Sequence, residues 1–216
     1  MPNSEEILSS LGLEQLIAAG GFTRDETGGV MANPAGARVV CVGPELLRSL
    51  HLVLDHERTG AWTAVLKTAG FASGKKIAAN LDAELAGLGK PALAALPIEG
   101  CLVFIEHYFA VHGWGRLTLD LTDAAQHGVV LARLEQSVFA GALQDPKLFA
   151  DPLLAGILQG FFEHISGQVL GCEEIACARR GAPHCIFVIT APERLGSIIS
   201  FVGYESAEAI LNRLRA

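Results

Sequence analysis

The sequence predicts an α/β (α+β) domain: a small, largely antiparallel sheet with helices packed on it and an apolar pocket between the layers. Three observations lead there. Half of the 216 residues are hydrophobic while 18% are charged, which calls for a large core, a cavity or a buried dimer surface. Several stretches repeat apolar residues at helical spacing. The candidate strands are joined mainly by turns, which favours antiparallel pairing.

Asn3 or Ser4 caps a first helix carrying Ile7, Leu8, Leu11 and Leu16, and Gly20-Gly21 ends it. Gly, Asn and Pro between Thr23 and Arg38 read as short strands and turns, and Arg38 to Val42 as a short β run. Leu46, Leu47, Leu50, Val53 and Leu54 follow helical spacing. A second long helix buries Trp62, Val65, Leu66, Ala69, Ile77, Leu81 and Leu85 before Gly87-Leu88-Gly89-Lys90-Pro91 stops it. Ala92 to Pro97 is a connector. Cys101 to Leu121 reads as a β-hairpin bending near Gly113 and Gly115, and Gly128 to Leu134 as a further strand. Ser137 to Leu143 fits either type. Asp151 opens a helix through Phe161, Phe162 and Ile165 that Gly167 terminates. Gln168 to Ala178 and Cys185 to Thr190 are strands around a turn at Arg179 to His184. Glu193 to Val202 and Ser206 to Leu214 are helices. The expected division is 1–37, an N-terminal helix and arm; 38–190, the ligand-binding domain; and 191–216, C-terminal helices packed on it. The helices are expected on one face of the sheet.

Composition excludes several classes. A net charge of −7 and only short basic pairs, Lys75-Lys76 and Arg179-Arg180, argue against direct nucleic-acid binding. No apolar run reaches the ~18 residues of a membrane span, and the acidic start Met1-Pro2-Asn3-Ser4-Glu5-Glu6 is no signal peptide. A cytoplasmic location is expected. Five cysteines, an odd number, favour reduced thiols or metal ligands over a disulfide framework. No nucleophile elbow, dinucleotide fingerprint or HExxH is present, so no catalytic residue is assigned.

Gly160-Phe161-Phe162-Glu163-His164-Ile165-Ser166-Gly167, then Glu174-Ile175-Ala176-Cys177 and Gly181-Ala182-Pro183-His184-Cys185-Ile186-Phe187, resemble the C-terminal signature of the 4-vinyl-reductase (hydrocarbon-binding) domain family. Leu66 to Gly74, with its Gly-x-x-x-Gly, and Gly113-Trp114-Gly115 extend the resemblance more weakly. The family includes a bacteriochlorophyll-biosynthesis protein and the sensor domains of phenol- and xylene-responsive activators. The resemblance implies binding of a small hydrophobic ligand (aromatic, acyl or tetrapyrrole) by a sensor or carrier, and a homodimer. Vinyl reduction, or an accessory part in it, is the alternative function, and a structural dimerisation module the second.

Two thiols and a carboxylate, Cys177, Cys185 and Glu174, are sensible zinc ligands. A regular strand would point residues 174 and 177 to opposite sides, so a bulge or early turn must bring them together. The resemblance implies a zinc site completed by a cysteine at the start of the preceding helix. This chain has Asp151 there. Asp151, Cys172, His164 or His184 can complete four ligands, with Asp151 the expected one. Arg179 and Arg180 are expected to offset the charge. The plainer reading is two buried free thiols on a hairpin. For the ligand, His107, Trp114, Phe109 and Phe161 are the candidates. His107 alternates with Ile105 and Phe109 and would share their face of a strand; the plainer reading makes Trp114 core and His112 a solvated turn residue. Gly70 and Gly74 most simply permit close helix packing.

Overall fold

The computed structural model describes residues 4–13, 22–32 and 38–216. Helix α1, Ser4–Leu11, ends at Gly12 in the left-handed region (φ 64°), well before the expected stop at Gly20-Gly21. Leu16, Gly20 and Gly21 lie outside the described residues. Strands β1, Thr23–Asp25, and β2, Val30–Ala32, form a separate two-stranded hairpin. Among the described residues, the expected β run from Arg38 to Val42 reduces to a single bridge between Arg38 and Ala32. Helices α2, Pro44–Glu57, and α3, Ala61–Gly87, follow as their apolar spacing predicts, except that Val65 and Ala69, expected on the buried side of α3, are exposed because that part of the helix faces solvent.

Residues 98–111 differ from expectation. They form helix α4, Ile98–Val111, not the first arm of a hairpin. Cys101, Phe104, Ile105, Tyr108 and Phe109 repeat at three and four residues and make one helical stripe. Pro97 caps the start, Glu99 sits in the first turn, and Gly113 turns the chain at φ 69°. Ile105, His107 and Phe109 also alternate, which mimics a strand. Helix α1 packs on α4, where Leu11 lies against Gly100, and Lys90 donates to the Leu11 carbonyl. The N-terminal helix therefore packs on its own chain.

Strand β3, Arg116–Asp120, then a helical turn α5, Ala124–His127, lead to β4, Val130–Glu135. The undecided segment is a short helix, α6, Val138–Ala142, capped by Ser137. Helix α7, Pro152–Ser166, ends at Gly167 with φ 65°. Strands β5, Gly171–Ala176, and β6, Cys185–Thr190, precede helices α8, Pro192–Ile198, and α9, Ala207–Arg215. The four long strands form one antiparallel sheet ordered β3-β4-β6-β5. Its two faces carry different cores. Ala132, Leu134, Cys185, Phe187 and Ile189 face the cluster that includes Phe109, Leu154 and Phe161. Leu131, Ile175 and Val188 face Ile198, Ile210 and Leu214 of α8 and α9. Helices thus cover both faces, not one.

Helices α3 and α7 pack backbone against backbone. Each helix carries a Gly-x-x-x-Gly pair, Gly70 with Gly74 and Gly156 with Gly160. A Cβ at Gly70 would sit 2.1 Å from the Leu153 carbonyl oxygen, and at Gly74 2.2 Å from that of Ile157. At Gly156 and Gly160 it would sit 2.2 Å from the carbonyls of Lys67 and Phe71. The backbones touch directly, so no side chain larger than hydrogen fits. Polar pairs bracket the seam: Lys75 with Glu163 at 3.0 Å, and His164 with Asp82 at 2.6 Å. Substituting Gly156→Ala should cost about 3 kcal/mol, the upper range for overpacking, because the opposing atoms are backbone. Gly141→Ala in α6, where a Cβ meets nothing within 4 Å, should leave stability unchanged or raise it by up to about 1 kcal/mol. Urea denaturation of both variants measures the difference, and equal effects would contradict the packing.

Candidate metal and ligand site

The start of α7 and the β5–β6 hairpin bring four side chains together. One ligand atom each from Asp151, Glu174, Cys177 and Cys185 lies within 4.8 Å of every other, and all four residues are buried. Local structure explains the convergence. Between Glu174 and Ala176 the β5–β6 register shifts, a bulge that turns Glu174 toward Cys177. This is the irregularity the Glu-x-x-Cys spacing requires. Asp151 is the N-cap residue of α7, but its side chain makes no cap bond to the helix.

Each carboxylate is held by one oxygen and leaves the other free. Ser137 donates its hydroxyl to Asp151 Oδ1, and the Asp151 backbone N–H donates to Glu174 Oε2 at 3.0 Å. Asp151 Oδ2 and Glu174 Oε1 are buried with no hydrogen-bond partner among the described residues. The Cys185 thiol approaches the Cys177 sulfur at 4.0 Å, and the Ala178 N–H points at Cys185 Sγ at 3.3 Å. Burial pushes the Asp151 carboxyl up to about 6. Burial, and then the charge of Asp151, push Glu174 well above the carboxylate range. The hydrogen bond from Cys185 draws Cys177 down to about 5, and that same contact, then burial, pushes Cys185 up. Two unsatisfied carboxylate oxygens and two sulfurs around one point form a donor set that suits a divalent cation, with Ser137 and the Asp151 backbone as supports that fix the ligands.

The other candidates for a fourth ligand sit elsewhere. His164 is engaged with Asp82, and Cys172, though buried, is outside the four-residue group. His184 lies in the turn and is likewise no member of it. Arg179 and Arg180, expected to offset the charge of the site, make their hydrogen bonds to backbone carbonyls. Their guanidinium groups bond the carbonyls of Gln144 and Lys147, which ties down the segment before α7, and Arg180 also bonds that of Gly203 after α8.

The proposed ligand residues divide. Phe109 and Trp114 meet edge to face at 5.3 Å, in a group with Tyr108 and His112, whose rings stack at 3.9 Å. His112 is therefore packed, not a solvated turn residue. Phe109 and Phe161 are both fully buried core side chains, and Phe161 meets Phe162 at 6.0 Å. His107 does not share the face of Ile105 and Phe109, because on a helix a two-residue step turns about 200°. Its Nε2 is buried without a hydrogen-bond partner among the described residues, and burial lowers its basicity. Two features escaped the sequence reading. Ser137 supports Asp151 from a segment of undecided type. His51 packs edge to face on Trp62 at 5.2 Å, and the Trp62 Nε1 donor is buried without a partner among the described residues. The signal for Ser137 was its place directly before a short apolar run, as an N-cap.

Residues 152–191 match the 4-vinyl-reductase domain, so the resemblance read from Gly160 to Phe187 holds over that segment. No curated protein matches the chain in sequence. Among solved structures, the fold is similar to the phenol-responsive sensory domain of the transcription activator PoxR, crystallised with phenol. The TM-score is 0.61 at 21% identity, over 96% of each chain. A vinyl-4-reductase family protein from Methanocaldococcus jannaschii aligns at TM-score 0.48 and 17% identity, over 88% of this chain and 96% of that one. Trafficking protein particle complex subunit 3 from Naegleria fowleri, covalently bound to palmitic acid, aligns at 0.48 and 12%, over 68% and 91%.

Ser137→Ala removes both the cap of α6 and the donor to Asp151, and leaves a buried carboxylate oxygen bare. It should cost about 2 kcal/mol, whereas Ser137→Thr should retain most of that stability. Chemical denaturation of the two variants distinguishes this from a passive role, in which both would match the parent.

Proposed function

We propose that the chain binds a small hydrophobic ligand as a sensor or carrier domain, with a structural zinc clamping the start of α7 to the β5–β6 hairpin. The observation that carries the ligand reading is the fold shared along nearly the whole chain with a phenol-responsive sensory domain, together with the 4-vinyl-reductase domain match. Such sites combine apolar lining with a few placed polar groups. Here His107 Nε2 and Trp62 Nε1 are buried polar atoms in want of a partner among the described residues, and a ligand hydroxyl or carbonyl suits either. Trp114, Phe109 and Phe161 supply aromatic surface.

The zinc reading rests on the four converging donors and their two bare oxygens. Asp151, Glu174, Cys177 and Cys185 would hold the ion, whose part is to cross-link, not to react. With all four ionised, the occupied site carries two negative charges, which Ser137 and the backbone N–H groups of Asp151 and Ala178 help to stabilise.

We also infer a homodimer. Leu46, Leu50 and Val53 form a stripe along α2, between 45% and 60% exposed, an apolar surface of the kind that interfaces bury. Light scattering should report a dimer in the parent and a shift toward monomer in Leu50→Glu; a parent that is monomeric throughout the micromolar range contradicts it.

Thermal shift with a phenol, a fatty acid and a porphyrin tests ligand binding. One class should stabilise the protein, by about 2.7 kcal/mol at a concentration one hundred times its Kd. If none binds below about 100 μM, an affinity of roughly −5.5 kcal/mol, the ligand reading fails.

A further inference from the structure

The β5–β6 register pairs Glu174 with Phe187 and, past the bulge, Ala176 with Ile186. Continued one step outward, that register would set Cys177 opposite Cys185. Directly opposed residues of antiparallel strands have Cα atoms about 4.5–5.5 Å apart, inside the window of about 4.4–6.8 Å that a disulfide requires. The sulfurs already stand 4.0 Å apart. Rotation of the side chains, not movement of the backbone, is what separates them from bonding distance. The turn behind them is pinned, since the N–H groups of Arg180 and Ala182 both donate to the Cys177 carbonyl. No other cysteine among the described residues has this arrangement: Cys172 faces Ile189 across the strands, and Cys101 donates to the Leu93 carbonyl from α4.

These two sulfurs are also half of the four-donor cluster. A sulfur locked in an S–S bond is no longer a thiolate donor, and the two carboxylates alone make a poor zinc site. We propose that the cluster is a redox-gated metal site, which holds either a divalent metal or a Cys177–Cys185 disulfide and never both. This rests on the metal reading above.

The oxidant is a peroxide. One thiolate attacks a peroxide oxygen, the O–O bond breaks, and the departing hydroxide takes a proton to become water. The resulting sulfenic acid is attacked by the second sulfur, the S–O bond breaks, and a second water leaves. Two thiols and one hydrogen peroxide give one disulfide and two waters. A bound metal occupies both sulfurs and blocks the first step. The disulfide in turn releases the start of α7 from the hairpin.

The test uses the full chain carrying Cys41→Ser, which removes the exposed cysteine. Reduced protein is divided into a zinc-loaded and a chelator-stripped sample, and each is treated with hydrogen peroxide. Peptide mapping follows the cross-link, and a chromogenic chelator follows zinc. The stripped sample should lose two hydrogens and yield a peptide joining residues 177 and 185, severalfold faster than the loaded one. The oxidised protein should take up no zinc until dithiothreitol restores the thiols. If reduced protein takes up zinc but the stripped sample gives no such peptide, the gate is overturned and the metal reading stands. If reduced protein takes up no zinc at all, the metal reading falls and the gate with it.

Discussion

Helices α3 and α7 touch backbone to backbone across Gly70, Gly74, Gly156 and Gly160, and the placement of the candidate site follows from that contact. Helix α7 can approach only along a line where both helices lack side chains. Its direction and height relative to α3 are thereby fixed. Asp151, one residue before α7 begins, is carried to a set position. Lys67 of α3, one turn before Gly70, pairs with Glu173 of β5, so the same helix that receives α7 also holds the neighbouring strand.

The cluster then joins three separately positioned pieces: the start of α7, the bulged end of β5 and the start of β6. Packing alone brings four acidic or thiol groups into a buried space, where burial raises both carboxyls. Such a concentration of groups is costly unless something compensates for it. Ser137 and backbone N–H groups compensate in part and a cation would complete the compensation. The segment before α7 is bound to the hairpin as well, through Arg179 and Arg180. The hairpin therefore grips both the helix start and the chain that leads into it.

Much of this was legible in the sequence because the deciding residues are local. Glu174, Cys177 and Cys185 surround one turn, and their spacing alone demanded the bulge that the strand contains. Helix α7 announced itself by its apolar period and Gly167. Residues 101–109 were ambiguous in principle: Ile105, His107 and Phe109 alternate as in a strand, while Cys101, Phe104, Ile105 and Tyr108 repeat as in a helix. Length and the Pro97 boundary decide for the helix. The second covered face of the sheet had a signal that alternation arguments overlook. Cys185-Ile186-Phe187-Val188-Ile189 is apolar without a break, as a strand buried on both sides requires. The capping role of Ser137 had a local signal, but its bond to Asp151 did not, since that partner is fourteen residues away in sequence. The paired glycines of α7 carried the same four-residue spacing as Gly70 and Gly74, and their match becomes meaningful only once the two helices are known to meet.

The central claim is that the α3–α7 contact assembles a four-donor site that binds metal. Its most direct test is elemental analysis of protein purified without a polyhistidine tag, with the melting temperature of Cys177→Ser measured alongside. The account predicts one zinc per chain in the parent, none in the variant, and a lower melting temperature for the variant. A parent free of divalent metal, with Cys177→Ser melting at the parent's temperature, would contradict it.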